Sequence, residues 1–202
     1  PALINWASNM AVDYIQNKIL AGEPILDNLA NWLKEARTAY AQKRDKAADI
    51  GTLAHNWIES YINAQIASTG LPEANPAIYI MTDNFLKWVE VAKPKFLASE
   101  KVVYSQKLFY AGTLDFLCKI DDKIYLGDIK TGSNIYSEMW LQTAGYQLAL
   151  EEIEPELKVD GHIIVNCTKD GKLNLKTRFD YEASKKGFLA ALELYRLLNN
   201  YE

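Results

Sequence analysis

Between Gly112 and Gly132 the chain reads GTLDFLCKIDDKIYLGDIKTG: two apolar strands joined by a short polar turn, with acids and a lysine set among the apolar positions. Ile120 ends the first run and Lys123 starts the second, so Asp121-Asp122 forms a two-residue turn, and aspartate tolerates the left-handed backbone such a turn needs. That register sets Lys119 against Ile124, Leu117 against Leu126 and Asp115 against Asp128, with Lys130 on the same face as Asp128. Side chains directly opposed on antiparallel strands have Cβ atoms roughly 4.5–5.5 Å apart, and like charges there repel. Burying two such carboxylates uncompensated is costly. A divalent cation removes the conflict, since magnesium favours one or two carboxylates with water and phosphate oxygens, and a neighbouring lysine suits a phosphate oxygen or an attacking water. A solvated hairpin end, with Lys130 salt-bridged to one acid, satisfies the same spacing.

The chain has 202 residues, enough for one domain with a substantial core, and its hydrophobic fraction of 49% and charged fraction of 24% are those of a globular protein. No apolar run is long enough to span a bilayer, and no signal peptide is visible. A net charge of −4 argues against coating nucleic acid with a broad basic surface, but not against gripping a few phosphates locally. Cys118 and Cys167 lie in strand-like runs and read as buried reduced thiols; two cysteines cannot build a four-cysteine iron–sulfur or zinc site. The chain starts at Pro1 without a methionine, inside a helical pattern, which points to residues upstream of it.

Apolar spacing predicts a helix over 3–19, ended by Gly22 and Pro24, and a second one following Asp27 as far as Tyr40. A third is expected over 47–66 and a fourth over 77–91. Strand character then begins, over 98–108, leading into the hairpin. Ser137 is placed to cap a helix running to about 150; 161–167 and 173–179 read as two strands joined by Lys169-Asp170-Gly171-Lys172; a last helix covers 182–198. This is one domain over 1–202, mainly helical over 1–95, with a sheet core and flanking helices over 96–202.

Further residues are placed to join the acids. His55 and Glu59 share a face of the third helix, which Gly51 leaves bare one turn earlier. Neutral histidine is a common metal ligand, although a lone one on a helix also serves structure. His162 is assigned to packing or an edge. Gln142 and Tyr146 project together from the helix after Lys130, as a phosphate-holding or lysine-orienting pair or as an ordinary half-buried one. Lys43, Arg44 and Lys46 form a basic cluster, either for phosphates or as a solvated helix face. Five Trp and twelve Tyr offer base-stacking surfaces, but Trp32 and Trp57 lie on apolar stripes and read as core.

In order, the chain shows Gly51-x-x-x-His55, Gly112-Thr-Leu-Asp115, Asp128-Ile-Lys130 and Gln142-x-x-x-Tyr146. This series resembles the RecB-like branch of the PD-(D/E)XK nuclease superfamily, which includes CRISPR-associated and phage-type exonucleases, over roughly residues 47 to 167. Leu114 stands where the superfamily name has proline, and cluster-bearing members carry four cysteines where this chain has two. The resemblance implies an α/β, restriction-endonuclease-like core: a small mixed β-sheet flanked by helices, with a helical N-terminal half. It implies Mg²⁺- or Mn²⁺-dependent hydrolysis of DNA phosphodiesters without an iron–sulfur cluster, by an exonuclease on ends or single strands. An endonuclease of the same fold and a non-catalytic DNA-binding scaffold are the alternatives. Asp115, Asp128, the Ile129 carbonyl and His55 would hold metal. Lys130 would position the attacking water or neutralise the transition state, Gln142 and Tyr146 would orient Lys130 and the phosphate, and Glu59 and Glu100 are outer candidates. The setting implied is cytoplasmic, bacterial or phage-encoded, in recombination, repair or phage DNA processing. The companions implied are DNA, further copies of the chain or a recombination protein, and no membrane.

Overall fold

Asp121 takes a left-handed backbone, φ 52°, and turns strand β2 (Tyr110–Ile120) back into β3 (Lys123–Lys130). The register is the one the turn dictates: Ile120 pairs with Lys123, Lys119 with Ile124, Leu117 with Leu126 and Phe116 with Gly127. The expected pair Asp115–Asp128 would come next, but the ladder stops one step short of it. Asp115 Oδ2 instead accepts the Ile129 N–H at 2.6 Å, so a carboxylate stands where a β2 carbonyl would continue the sheet.

In the computed structural model residues 2–199 are described, with their side chains except those of 2–7, 25–27 and 40. The side chains of Leu3, Trp6, Asp27 and Tyr40, counted in the expected helices, therefore lie outside the described residues. The chain divides into two compact units, Pro1–Thr52 and Leu53–Glu202. The first holds α1 (Ala2–Leu20), α2 (Ile25–Ala36) and the start of α3 (Ala39–Ala67), with Trp32 and Ala36 buried. The α2 helix starts at Ile25 rather than after Asp27 because Pro24, extended at φ −60° and ψ 120°, already sits at its N-cap. The α3 helix begins ahead of the expected residue 47, since nothing from Ala39 onward breaks a helix. Lys43, Arg44 and Lys46 are therefore part of it, all exposed, with Arg44 hydrogen-bonded to Asp45.

The second unit is built on a five-stranded sheet in the order β1-β2-β3-β4-β5, with β1 at Lys95–Ser105, β4 at Gly161–Cys167 and β5 at Leu173–Arg178. All neighbours are antiparallel except β3 and β4, which are parallel and joined through α5 (Ser137–Ile153). Tyr136 occupies the N-cap of α5, and Ser137 is its first helical residue. With α4 (Tyr79–Ala92) and α6 (Tyr181–Asn199), this is an α/β fold, a mixed sheet flanked by helices with a helical N-terminal half.

The two sheet faces have different partners. On one, Phe96 and Phe116 pack against Trp88 and Phe85 of α4, and Phe85 meets Tyr61 of α3. The far end of the Phe116 ring lies against Gly127, where a Cβ would fall 1.9 Å from ring carbon Cζ. On the other face Val103, Leu114, Leu117 and Leu126 enclose Ala149 and Leu150 of α5. His162, 1% exposed, belongs to this second face: it is packing in a central strand, with Nδ1 2.9 Å from Thr143 Oγ1 and Nε2 2.6 Å from Gln147 Oε1. Gln147 Nε2 and the Tyr181 hydroxyl both donate to Glu151, so one polar network ties β4, α5 and α6 together. The two cysteines are free and buried.

Candidate active site

The acids lie where the alternation of the sheet is broken. Side chains alternate faces along a strand, yet Leu114 and Leu117, three apart, both pack toward α5, while Phe116 packs toward α4. Strand β1 does the same. Ser99 pairs with Phe116, but Lys101, which reaches Glu154 beyond α5, and Val103 both turn to the α5 side. Between the pairs Ser99–Phe116 and Lys101–Leu114, Glu100 and Asp115 are left without ladder partners. Each strand thus carries one extra residue at the same level, and Glu100 takes a left-handed backbone, φ 46°, to fit there. Such a conformation is uncommon for a side chain without a local reason and concentrates at functional sites.

These two bulged acids meet His55 from α3. His55 Nε2 lies 3.2 Å from Asp115 Oδ2 and 3.9 Å from Glu100 Oε1. One donor atom from each of His55, Glu100 and Asp115 falls within 4.8 Å of the others. Glu100, expected as an outer candidate, is therefore part of this cluster itself. Glu59 bears on it through its charge, which lifts the pKa values of both His55 and Glu100. The hydrogen bond to Asp115 is the main force holding His55 above the ordinary histidine pKa, against the opposing effect of burial. Burial, then the Asp115 charge, raises Glu100.

Asp128 follows on β3, 1% exposed, and burial reinforced by the Asp115 charge pushes its carboxyl up to about 6. Lys130 straddles it, donating to Oδ1 at 2.9 Å and lying 2.8 Å from Oδ2. The second contact is an ion pair without hydrogen-bond geometry, so Oδ2 still has a free acceptor position. Lys130 also donates to Gln142 Oε1 at 3.2 Å, and Gln142 Nε2 donates to the Tyr146 hydroxyl at 2.8 Å. The Tyr146 ring fits because Gly112 has no side chain: a Cβ there would fall 2.5 Å from ring carbon Cε1. The structure thus brings together His55, Glu100, Asp115, Asp128, Lys130, Gln142 and Tyr146, along with Ile129 through its amide. Lys43, Arg44 and Lys46 belong to the other unit.

The donor set suits a hard divalent cation: carboxylate oxygens with one imidazole. Two buried carboxylate oxygens, Glu100 Oε1 and Asp128 Oδ2, have no hydrogen-bond donor among the described residues, and unpaired buried acceptors of this kind are what a cation satisfies.

No family model matches the chain, and no curated protein matches it. Among solved structures, it is similar to one described as "Putative exonuclease" from Eubacterium rectale, with a TM-score of 0.50 at 12% identity over 75% of this chain and 68% of that one. The two share a fold. Among the described residues no helix is long and apolar enough to cross a membrane.

Proposed function

We propose that this chain is a metal-dependent deoxyribonuclease of the RecB-like kind, hydrolysing DNA phosphodiesters from an end or along a single strand. The observation that carries the reading is the paired bulge that sets Glu100 and Asp115 beside His55, next to the buried Asp128–Lys130 pair. A protein without use for that cluster would have little reason to hold three acids together. Glu100, Asp115 and His55, with Asp128 alongside, would hold Mg²⁺ or Mn²⁺. When bound, the cation supplies Lewis-acid polarisation of a phosphoryl oxygen and a nucleophilic water at neutral pH.

The chain's own groups supply the rest. The ammonium of Lys130 is kept over the acids by Asp128 and Gln142, where it offsets the negative charge that builds on the phosphate in the transition state. Gln142 donates to the Tyr146 oxygen, which leaves the phenol proton for a phosphate oxygen. His55 must lose its proton to act as a ligand, so its bond to Asp115 and a cation compete for Nε2.

The test uses linear single-stranded, linear duplex and covalently closed circular DNA, the linear forms end-labelled, with Mg²⁺, Mn²⁺ or EDTA. Linear DNA is expected to be degraded only with metal, the closed circle to survive, and Asp115→Ala to be inactive. Equal activity in EDTA or from Asp115→Ala would end the proposal. Nicking of the circle would favour an endonuclease, and end binding without cleavage a DNA-binding scaffold.

A further inference from the structure

The most deeply buried unpaired side chain near this site is Asn166 of β4. It is 0% exposed, and neither its amide nitrogen nor its amide oxygen has a hydrogen-bond partner among the described residues. The rest of β4, Gly-His-Ile-Ile-Val before it and Cys167 after it, is also buried, so solvent does not satisfy the amide from along the strand. A leucine of nearly the same shape would avoid the cost of burying two unsatisfied groups. An orphan of this kind asks for a partner that arrives in another state of the protein.

The register says which one. Lys130 and Asn166 are partners across the parallel β3–β4 ladder, so their side chains leave the sheet on the same face, from strands about 4.8 Å apart. Contacts to α5 from either strand agree: Lys130 reaches Gln142, and His162, four residues before Asn166 on the same side of β4, reaches Thr143 and Gln147. Lys130 spends two of its three N–H donors on Asp128 and Gln142, and the third is unassigned. Its ammonium now lies against both oxygens of Asp128. A divalent cation on the free Oδ2 of Asp128 would repel the ammonium from that oxygen, leaving it the bond to Oδ1 and a third N–H still in want of an acceptor. The unpaired acceptor directly across the ladder from Lys130 is the Asn166 oxygen.

Resting on the nuclease reading above, we infer that Asn166 is a positioning residue for Lys130: its amide oxygen takes the lysine ammonium when Asp128 engages metal, and holds it at the scissile phosphate. Asn166 acts through Lys130 and does not touch DNA, since it has no exposed surface.

The experiment compares wild type, Asn166→Leu and Asn166→Asp in single-turnover cleavage of end-labelled linear DNA with Mg²⁺. Asn166→Leu is expected to lose roughly 10–100-fold in kcat, the usual cost of removing a supporting partner, at unchanged KM. Asn166→Asp, which keeps an oxygen acceptor in place, is expected to recover most of the loss. Without metal, Asn166→Leu should melt no lower than wild type, because it deletes an unpaired polar group. Separately from activity, the side-chain amide NMR signal of Asn166 is expected to move when Mg²⁺ is added to wild type and to stay in place in Lys130→Met. Wild-type kcat in Asn166→Leu, or an amide signal indifferent to Mg²⁺ or moving equally in Lys130→Met, overturns the inference. An inactive wild type would instead overturn the nuclease reading, and the amide signal then decides this inference alone.

Discussion

His162 gives a prediction that depends only on the fold. It is neutral in the native protein: burial, assisted by the Arg178 cation, takes its pKa from 6.5 down to about 4. Gln147 is oriented by its bond to Glu151, so its oxygen faces the His162 Nε2–H, and Nδ1 is left to accept from Thr143. The unfolded chain therefore binds this proton more readily than the folded one, and stability contributed by neutral His162 is lost as pH falls from 6.5 toward 4. At about 1.4 kcal/mol for each tenfold in proton affinity, the ceiling of the loss is about 3 kcal/mol. Asp128 works in the opposite direction. Its carboxyl, raised to about 6, is protonated more readily in the folded state, so acid relieves a strain there over much of the same range. A simple pH–stability curve would show the two partly cancelling. The clean quantity is the difference between wild type and His162→Gln in urea unfolding, measured at pH steps between neutrality and the acid limit. That difference should shift against wild type by about 3 kcal/mol on acidification, most of it below pH 6.5. A difference that stays constant with pH, or moves in favour of wild type in acid, would refute the reasoning.

Two glycines test the packing that frames the site. Gly127→Ala drives a methyl into the Phe116 ring, which Trp88 and Phe96 hold in place, and should cost about 3 kcal/mol or more of folding stability in urea titration; Phe116→Leu in the same chain should recover part of it. Gly112→Ala meets only the edge of the Tyr146 ring. It should therefore lower the proposed nuclease activity with a smaller stability loss of roughly 1–2 kcal/mol, and that loss should vanish in a Tyr146→Ala background, as a double-mutant cycle would show.

The sequence pattern made the hairpin legible because its determinants are local. Asp121-Asp122 sets the turn, and five pairs from Ile120–Lys123 to Phe116–Gly127 follow from it by counting. The neighbourhood of Lys130, Gln142 and Tyr146 was legible too, since the helix after β3 must fold back over it. The paired bulge was not. One extra residue in each of two strands changes no composition and no apolar run, and only the switch of Leu114 and Leu117 to one face betrays it. Glu100 consequently read as peripheral when its backbone carries it to His55. Asn166 carries no signal in the sequence for a related reason: it is a single amide in an otherwise apolar strand, and its lack of a partner is a property of three dimensions. The α3 helix began earlier than its apolar stripe suggested, because helix propensity alone extends it through a polar stretch.

The double bulge has one further consequence. Past the one-residue shift that β1 already takes between Phe96 and Ala98, a single insertion at the level of the acids in β1 or in β2 would turn the residues beyond it to the wrong face, leaving Lys101 and Val103, or Leu117, stranded on the side of α4. Two insertions at the same level cancel, and the pairs on either side, Ser99–Phe116 and Lys101–Leu114, keep one common register. From Ala98 to Ser105 the register is thus the same with the two acids present as it would be with both removed. Neither acid is interchangeable with the strand that carries it, but together they form a detachable module: a change of chemistry at this spot need not disturb the hydrophobic layers above and below it.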